Sequence, residues 1–359
     1  MSIWRWAERI AAVPADARFT LGEGDTPLVR SRSIGPREGL PNLFFKLETG
    51  NPTGSYKDRF AVVAIAHMVA HGQTTCIATS SGNTGAALAA ACAAAGVRCR
   101  IAIVETAPVR KTKQMQAYGA ELFRVRGFGT DPQLTRDCFE SIRRLAARPG
   151  HALQISAYSH SPEGMTGCET IAFELAEQLA AVIDHVFCPA GGGGLCLAIA
   201  RGFAAIARDG GPSPAIECVQ PAGNDTMAGP LRDGRSRARE VVGTSQISGL
   251  QVPSVIDGDL VIDACRTSGG TGHLVTDEQV WHVQRRLALE EGIFTEPAGA
   301  VALAGALEAA RAGRLRHDAS IVCLVTGSGF KDEAAIDRMV AGRDCPTIAH
   351  NDLRRMADG

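Results

Sequence analysis

The sequence has almost no net charge and no surplus of either sign. Among its 359 residues, 37 lysines and arginines stand against 38 aspartates and glutamates, giving a formal net charge of −1. Without a basic surplus, the chain lacks the electrostatic signature of proteins that bind nucleic acids or acidic membrane surfaces. We therefore expect neither nucleic acid nor membrane as a partner.

Long apolar runs and a targeting segment are also missing. No stretch of 18 residues is both apolar and free of charge, so we expect no membrane-spanning helix. The first nine residues, MSIWRWAER, mix charged and aromatic residues and lack the apolar centre of a signal peptide. These features predict a cytoplasmic protein.

The cysteines lack metal-binding or redox spacing. The chain has 11 of them but no C-x-x-C pair, which argues against a zinc site or a thioredoxin-type site. Cys76, Cys188 and Cys323 lie in apolar, strand-like runs, where cysteine packs as a small hydrophobic side chain. We expect a reduced protein with no disulfides and no metal site.

Residues 51–59, with the sequence NPTGSYKDR, are the most informative segment. Proline and glycine set a sharp turn, and Asp58 suits a helix start. Lys57 is therefore expected at a helix N-terminus, where backbone N–H groups and the helix dipole disfavour a positive charge. Such a lysine loses its proton more readily, and its neutral amine can form a Schiff base with an aldehyde. Taken alone, however, Lys57 would more simply be a solvated residue of a first helical turn.

Three polar turns each follow an apolar, strand-like run. Their sequences are SSGNTG at residues 80–85, PAGGGGL at residues 189–195 and TGSG at residues 326–329. Four consecutive glycines let the backbone approach an anion closely at a helix start. Because ligands of parallel sheets bind beyond the carboxyl ends of the strands, these turns and Lys57 predict one shared crevice.

Short apolar runs alternate with longer amphipathic ones, which predicts a doubly wound α/β fold with mainly parallel sheets. The predicted strands cover residues 43–46, 75–79, 99–104, 121–125, 153–155, 185–188, 216–220 and 320–326. The predicted helices cover residues 58–71, 84–95, 111–118, 132–147, 163–180, 195–207, 277–291, 297–310 and 332–341.

The length of the chain allows two domains. We expect a small α/β domain at residues 60–159, a large cofactor-binding α/β domain formed by residues 1–59 and 160–345, and a surface tail at residues 346–359. Residues 221–267 have weak periodicity, and we expect this irregular region to border the active site.

The motifs, in this order, resemble the pyridoxal-phosphate enzymes of the tryptophan synthase β-subunit fold, called fold type II. Residues 21–28, 51–59 and 326–332 are similar to threonine synthases, whereas the glycine loop has the form more usual in threonine and serine dehydratases. The EPAGA sequence at residues 296–300 occurs in both groups. The resemblance implies a two-domain fold, pyridoxal 5′-phosphate as cofactor, an amino-acid substrate and a homodimer.

The resemblance also implies residue roles. Lys57 would bind the cofactor through a Schiff base and then move protons at the substrate's Cα and Cβ. The residues expected to bind the rest of the cofactor are Asn83 at the phenolic oxygen, Gly191, Gly192, Gly193, Gly194 and Leu195 at the phosphate, and Thr326, with Ser328 as the alternative, at the pyridine nitrogen. Ser80, Ser81 and Thr84 would hold the substrate carboxylate, although Ser80 and Ser81 could also be ordinary turn residues.

One position departs from the threonine synthase pattern. Those enzymes act on a phosphorylated homoserine, and Lys111 falls where a family lysine would lie. When Glu163 and Gly164 are aligned with the family's Glu-Gly pair, Ser161 takes the place of a phosphate-binding arginine. A serine cannot supply a bidentate, charge-assisted pair, which puts this substrate in doubt.

Three functions are therefore compatible with the sequence. The first is a lyase of the threonine synthase type, converting O-phosphohomoserine to threonine by elimination and replacement. The second is β-elimination on a non-phosphorylated amino acid such as threonine, serine or diaminopropionate. The third is a catalytically inactive binding protein on the same fold, against which the intact Lys57, Asn83, glycine loop and Thr326 argue.

Overall fold

The computed structural model describes the backbone of residues 2–107, 109–179 and 182–357, and their side chains except at residues 109–111, 132 and 354–357. The strands in this part of the chain are β1 (Leu28–Arg30), β2 (Leu43–Leu47), β3 (Thr75–Thr79), β4 (Arg98–Ile103), β5 (Glu121–Arg124), β6 (His151–Gln154), β7 (His185–Pro189), β8 (Ala215–Pro221), β9 (Gly272–Val275) and β10 (Ile321–Val325). The α-helices are α1 (Ile34–Arg37), α2 (Lys57–Ala70), α3 (Asn83–Ala95), α4 (Val109–Ala117), α5 (Pro132–Ala146), α6 (Pro162–Gln178), α7 (Gly194–Arg208), α8 (Ala228–Arg232), α9 (Gly258–Thr267), α10 (Asp277–Glu291), α11 (Pro297–Arg311), α12 (Glu333–Val340) and α13 (His350–Ala357).

These strands form two sheets. The larger sheet has the order β1-β2-β10-β7-β8-β9, and the smaller has the order β5-β4-β3-β6. Every described strand pair is parallel except β1 with β2. The predicted α/β class with mainly parallel sheets is confirmed. All four strands of the smaller sheet come from within the segment predicted as the small domain, while the exact domain boundaries remain a prediction.

The central strands are buried on both faces, which explains their continuous apolar sequences. All five residues of β10 are buried, as are four of the five residues of β7. Helix α2 is equally enclosed, since ten of its fourteen residues are buried and it packs against α3 and α6. The start of α2 is therefore held on several sides.

Cysteines contribute to this core. The Sγ atoms of Cys76, Cys92 and Cys99 lie within 4.8 Å of one another on β3, α3 and β4, and all three residues are buried. All three belong to the larger apolar cluster of the protein. We interpret them as small core side chains, as the sequence suggested for the strand cysteines.

A buried ion cluster ties the N-terminal segment to α2 and α6. Arg59 donates to both carboxylate oxygens of Glu48 at 2.8 Å, and to the two oxygens of Glu174 at 2.6 and 2.8 Å. Lys46 donates to Glu174 at 2.6 Å. None of these side chains is more than 1% exposed. The bidentate geometry of Arg59 is the kind that compensates the cost of burying carboxylates.

The structure adds elements that the sequence did not indicate. They are β1, β9, α1, α8, α9 and α13, each ten residues or fewer. Helices α8 and α9 lie inside the region expected to be irregular, while residues 233–257 between them contain no strand or helix. In the predicted tail, α13 is a short helix, and residues 346–353 are exposed.

A membrane-crossing helix was not expected from the sequence. Within the described residues, no helix has the length and apolar character needed to cross a membrane.

Replacing Arg59 with methionine should lower the free energy of unfolding by about 3–5 kcal/mol, because buried carboxylates would lose their partner. Burial alone would raise the pKa of Glu174, but hydrogen bonds and charge from Arg59, together with Lys46, lower it to about 2. Wild-type stability should therefore decline as the pH falls from 4.5 towards 2, and the variant should lose much of this dependence. Urea unfolding across this pH range measures both effects.

Arg311→Met is the matched control, because the side chains of Arg311 and its partner Glu308 are 55% and 34% exposed, unlike those of the buried cluster. It should change the free energy of unfolding by less than about 1 kcal/mol. Equal losses in the two variants would show that the buried cluster has no special weight.

Candidate active site

Lys57 is the first residue of α2, and its amine lies in an enclosed, polar setting. Its Nζ donates to Ser156 Oγ at 2.6 Å and lies 4.6 Å from the centroid of the Tyr56 ring. Burial lowers the pKa of Lys57 to about 8, although the charges of Asp257 and Glu296 oppose the shift. A lysine at a helix start was predicted, and desolvation is the main cause of its lowered pKa.

The turn before Lys57 is closed by Asp58. Its carboxylate accepts from the backbone N–H of Thr53 at 2.7 Å and from the Thr53 hydroxyl at 2.6 Å. The backbone N–H of Tyr56 donates to the carbonyl oxygen of Thr326 at 3.1 Å, joining this turn to the end of β10. Lys57 therefore starts its helix beside one of the predicted polar turns.

Ser156 connects Lys57 to two further turns. Its hydroxyl lies 2.6 Å from Lys57 Nζ and 3.0 Å from Thr84 Oγ1. Its carbonyl oxygen lies 3.1 Å from the point that a Cβ would occupy at Gly194. Sequence reasoning missed Ser156, although it follows strand β6 just as the other polar turns follow their strands.

The glycine loop lies between the end of β7 and the start of α7. Gly193 has φ = +98°, a conformation that favours glycine. A Cβ on Gly192 would lie 3.2 Å from Ile256, and one on Gly194 would lie 3.0 Å from Met165. Side chains at these positions would therefore crowd the loop. Because glycine has none, the loop presents backbone groups at the N-terminus of a fifteen-residue helix.

Residues near the end of the irregular region pack on the glycine loop. A Cβ on Gly191 would lie 3.3 Å from the carbonyl oxygen of Gly249. Asp257 is 1% exposed, and its N–H donates to Gly192 O at 3.1 Å. Its carboxylate accepts from the backbone N–H groups of Tyr158 and Ser159 at 2.8 and 3.0 Å. This segment borders the site, as expected, but the part played by Asp257 was not foreseen.

The SSGNTG turn leads into α3, whose first residue is Asn83. The Nδ2 of Asn83 donates to Glu296 Oε1 at 2.6 Å. A Cβ on Gly85 would lie 2.6 Å from the carbonyl oxygen of Ser80, so the turn requires glycine there. Ser80 and Ser81 are partly buried, and Ser80 Oγ accepts from the N–H of Gly82 at 3.2 Å. Their roles toward a substrate remain predictions.

The TGSG turn completes the arrangement. Thr326 is 4% exposed and directly follows β10. A Cβ on Gly327 would lie 2.2 Å from Glu296 Oε1 and 3.2 Å from Asn83 Nδ2, so this turn also reaches the SSGNTG turn. The three polar turns and Lys57 are therefore linked to one another, directly or through Ser156. The role of Thr326 toward a pyridine nitrogen remains a prediction, as does that of Ser328.

The hydroxyl of Ser161 makes hydrogen bonds within its own loop. The residue is 5% exposed, and its hydroxyl accepts from the N–H of Ile155 at 3.1 Å and donates to Leu153 O at 3.5 Å. Beside it, burial and the nearby Arg143 lower the pKa of His160, so this histidine is neutral near pH 7. The side chain of Lys111, the other residue considered for phosphate binding, lies outside the described part of the chain.

The residues present fit pyridoxal 5′-phosphate. An aldehyde needs a neutral amine, and Lys57 has a pKa of about 8. A phosphate needs backbone N–H groups at a helix start, and the crowded glycine loop offers them. Leu195, by contrast, is 4% exposed and contributes its side chain to the apolar core, so only its backbone is available for the predicted role.

Comparison with known proteins gives the same cofactor. Residues 19–327 match the family of pyridoxal-phosphate dependent enzymes. A threonine synthase of Methanocaldococcus jannaschii is 32% identical over 346 residues, covering 94% of this chain and 82% of the relative. A threonine synthase of a Bacillus species is 31% identical over 315 residues, covering 87% and 85%.

Solved structures share the fold. The processed form of threonine deaminase isoform 2 from Solanum lycopersicum superimposes with a TM-score of 0.74 at 22% identity, covering 95% of this chain and 93% of that one. This likeness supports fold type II. The expectation of an inactive binding protein is not supported, because the family and its curated relatives are enzymes. The chain belongs to the pyridoxal-phosphate dependent enzymes, as a lyase similar to threonine synthases.

Proposed function

We propose that the enzyme acts on an amino acid by β/γ-elimination or replacement, and that it converts O-phosphohomoserine to threonine as a threonine synthase. The observation that carries the proposal is the desolvated amine of the half-buried Lys57, held 2.6 Å from Ser156 beside the glycine loop. The names of the relatives at 31–32% identity support the substrate.

The bound cofactor supplies an electron sink for the carbanion formed at the substrate's Cα. With a pKa of about 8, Lys57 is neutral in about a tenth of the molecules at pH 7, which allows it to bind the aldehyde and later to move protons at Cα and Cβ. The proposal assigns Thr84 to the substrate carboxylate; in support, its hydroxyl lies 3.0 Å from that of Ser156, which also accepts from Lys57.

The proposed cofactor contacts come from the glycine loop, the SSGNTG turn and the TGSG turn. Backbone N–H groups of the glycine loop bind the phosphate, and the Asn83 amide binds the phenolic oxygen. Thr326 offers a neutral hydroxyl to the pyridine nitrogen. A neutral partner leaves that nitrogen largely unprotonated, which favours elimination and replacement over transamination.

One observation favours a second candidate, β-elimination on threonine, serine or diaminopropionate. The Ser161 hydroxyl is already engaged by Ile155 and Leu153, and the adjacent His160 is neutral. A phosphate monoester at this place would meet no charge from either residue. The proposal also includes a homodimer in the cytoplasm, as the resemblance implies, and sedimentation equilibrium would test the dimer.

Borohydride reduction of the cofactor-loaded protein, followed by peptide mapping, should label Lys57. We expect this label because the Lys57 amine is desolvated and lies beside the glycine loop. Lys57→Ala should abolish the label and the yellow colour. A label at Lys111 or Lys331 in the wild-type protein would refute the assignment.

Gly192→Val should weaken cofactor binding by about tenfold or more, because a β-branched side chain would stand where an anion needs the backbone. Only the flexible end of Ile256 opposes the new Cβ, so the fold should survive. Ala204→Val, at an exposed position of α7, is the control and should leave affinity unchanged. Equal affinity in all three proteins would mean that the loop only packs.

Ser161→Arg distinguishes the two candidate substrates. Compared with an enzyme that has an arginine at this position, the wild-type protein lacks one charge-assisted contact. Its kcat/KM for O-phosphohomoserine should therefore be lower by about 10- to 150-fold. If the natural substrate is not phosphorylated, Ser161→Arg should raise phosphate release from O-phosphohomoserine. Wild-type activity on this compound that is high, and falls in Ser161→Arg, would favour the threonine synthase assignment.

Because position 161 is buried, Ser161→Ala is needed as a control for the lost Ile155 contact. All three proteins are assayed for phosphate release and, in parallel, for 2-oxoacid formation from threonine, serine and diaminopropionate. No activity in either assay from a cofactor-loaded wild-type protein would contradict both candidates.

A further inference from the structure

Glu296 is a buried carboxylate whose role no part of the proposed reaction yet explains. It stands directly before α11, it is 4% exposed, and Pro297 is the first residue of the helix. Its side chain does not cap that helix. Its backbone N–H donates to Gly327 O at 3.1 Å, which places the residue beside the TGSG turn.

The carboxylate points at Asn83. Oε1 accepts from Asn83 Nδ2 at 2.6 Å, a short distance typical of charge-assisted hydrogen bonds. A side-chain amide has two N–H groups and one acceptor oxygen, and either end could face a ligand. Because a carboxylate can only accept hydrogen bonds, the Asn83 amide turns its nitrogen, and not its oxygen, toward Glu296.

Gly327 makes this contact possible. Any Cβ at position 327 would lie 2.2 Å from Glu296 Oε1, so a larger residue would displace the carboxylate. The same Cβ would lie 3.2 Å from Asn83 Nδ2. The turn after β10 therefore leaves a slot in which the carboxylate and the amide meet.

The charge of Glu296 affects the pKa of two lysines, Lys57 and Lys331. A buried carboxylate is costly without positive charge nearby. Burial lowers the pKa of Lys57 to about 8, and the charges of Asp257 and Glu296 oppose this. Burial also lowers the pKa of Lys331, again opposed by Glu296 and by Asp58. Glu296 thus acts on the amine and the amide proposed to contact the cofactor.

We propose that Glu296 is a positioning residue that presents the amide of Asn83 as a hydrogen-bond donor and stabilises positive charge on the nitrogen of Lys57. A phenolate oxygen requires a donor, and the second N–H of the Asn83 amide can supply one. This inference rests on the proposed function, because it assigns Asn83 and Lys57 to the cofactor.

Two variants separate the two effects. Glu296→Gln removes the charge but keeps an oxygen that can accept from Asn83, whereas Glu296→Ala removes both. Glu217→Gln is the control, since Glu217 is another buried carboxylate, held by His185 and His273 on the larger sheet. Circular dichroism and melting temperature confirm that each protein is folded.

The first readout uses cofactor-free protein, mixed with pyridoxal 5′-phosphate across a pH series while covalent capture is followed by absorbance. Neutral amine reacts, so the rate rises as Lys57 loses its proton. Removing the opposing charge should lower the half-maximal pH in both Glu296 variants. The midpoint should stay unchanged in Glu217→Gln.

The second readout is the dissociation constant of the cofactor. Glu296→Ala should bind about tenfold or more weakly than Glu296→Gln, because only the alanine variant frees the Asn83 amide. Equal affinities, or a wild-type midpoint in Glu296→Gln, would overturn the inference. If the wild-type protein captures no cofactor at Lys57, the proposed function itself fails, and the two failures are thereby distinguished.

Discussion

The buried pairing of Arg59 with Glu48 and Glu174 is the interaction on which the site most depends. Arg59 stands two residues after Lys57 on α2 and binds both carboxylates through short hydrogen bonds. Breaking a buried ion pair costs far more than breaking a surface pair, because the remaining charge has no water. The cluster therefore fixes the first turn of α2 against the segment before it and against α6.

A fixed helix start has chemical consequences for Lys57. The amine cannot swing into solvent without leaving Ser156, and burial keeps its pKa near 8. The polar turns after β3, β6, β7 and β10 then meet around it, because the carboxyl ends of parallel strands lie at one edge of each sheet. Opposing charges, notably that of Glu296, moderate the shift.

The sequence allowed the long, strongly patterned elements to be predicted. Buried strands such as β10 appear as continuous apolar runs, and a glycine loop between a strand and a helix has few other uses. Elements such as β1, β9 and α8 were missed because three to five residues carry too little periodicity. The antiparallel pairing of β1 with β2 depends on contacts distant in sequence.

The site shows the same division. Lys57 and the glycine loop could be predicted because the turn residues next to them in the sequence indicate their setting. No role was predicted for Ser156, Asp257 or Glu296, although Glu296 lies in the EPAGA motif, because each acts through partners between 65 and 213 residues away, such as Lys57, Gly192 and Asn83. Ser161 could be aligned from the sequence, but only the structure shows that its hydroxyl supports its own loop.

The proposed chemistry of Lys57 requires that the fold desolvate its amine before any ligand arrives. This desolvation can be measured by an NMR titration of cofactor-free protein in which the five lysines carry a 13C label at Cε, with Lys57→Arg identifying the signal. We expect a midpoint of about 8 for Lys57. A midpoint near 10.4, the ordinary value for lysine, would contradict it.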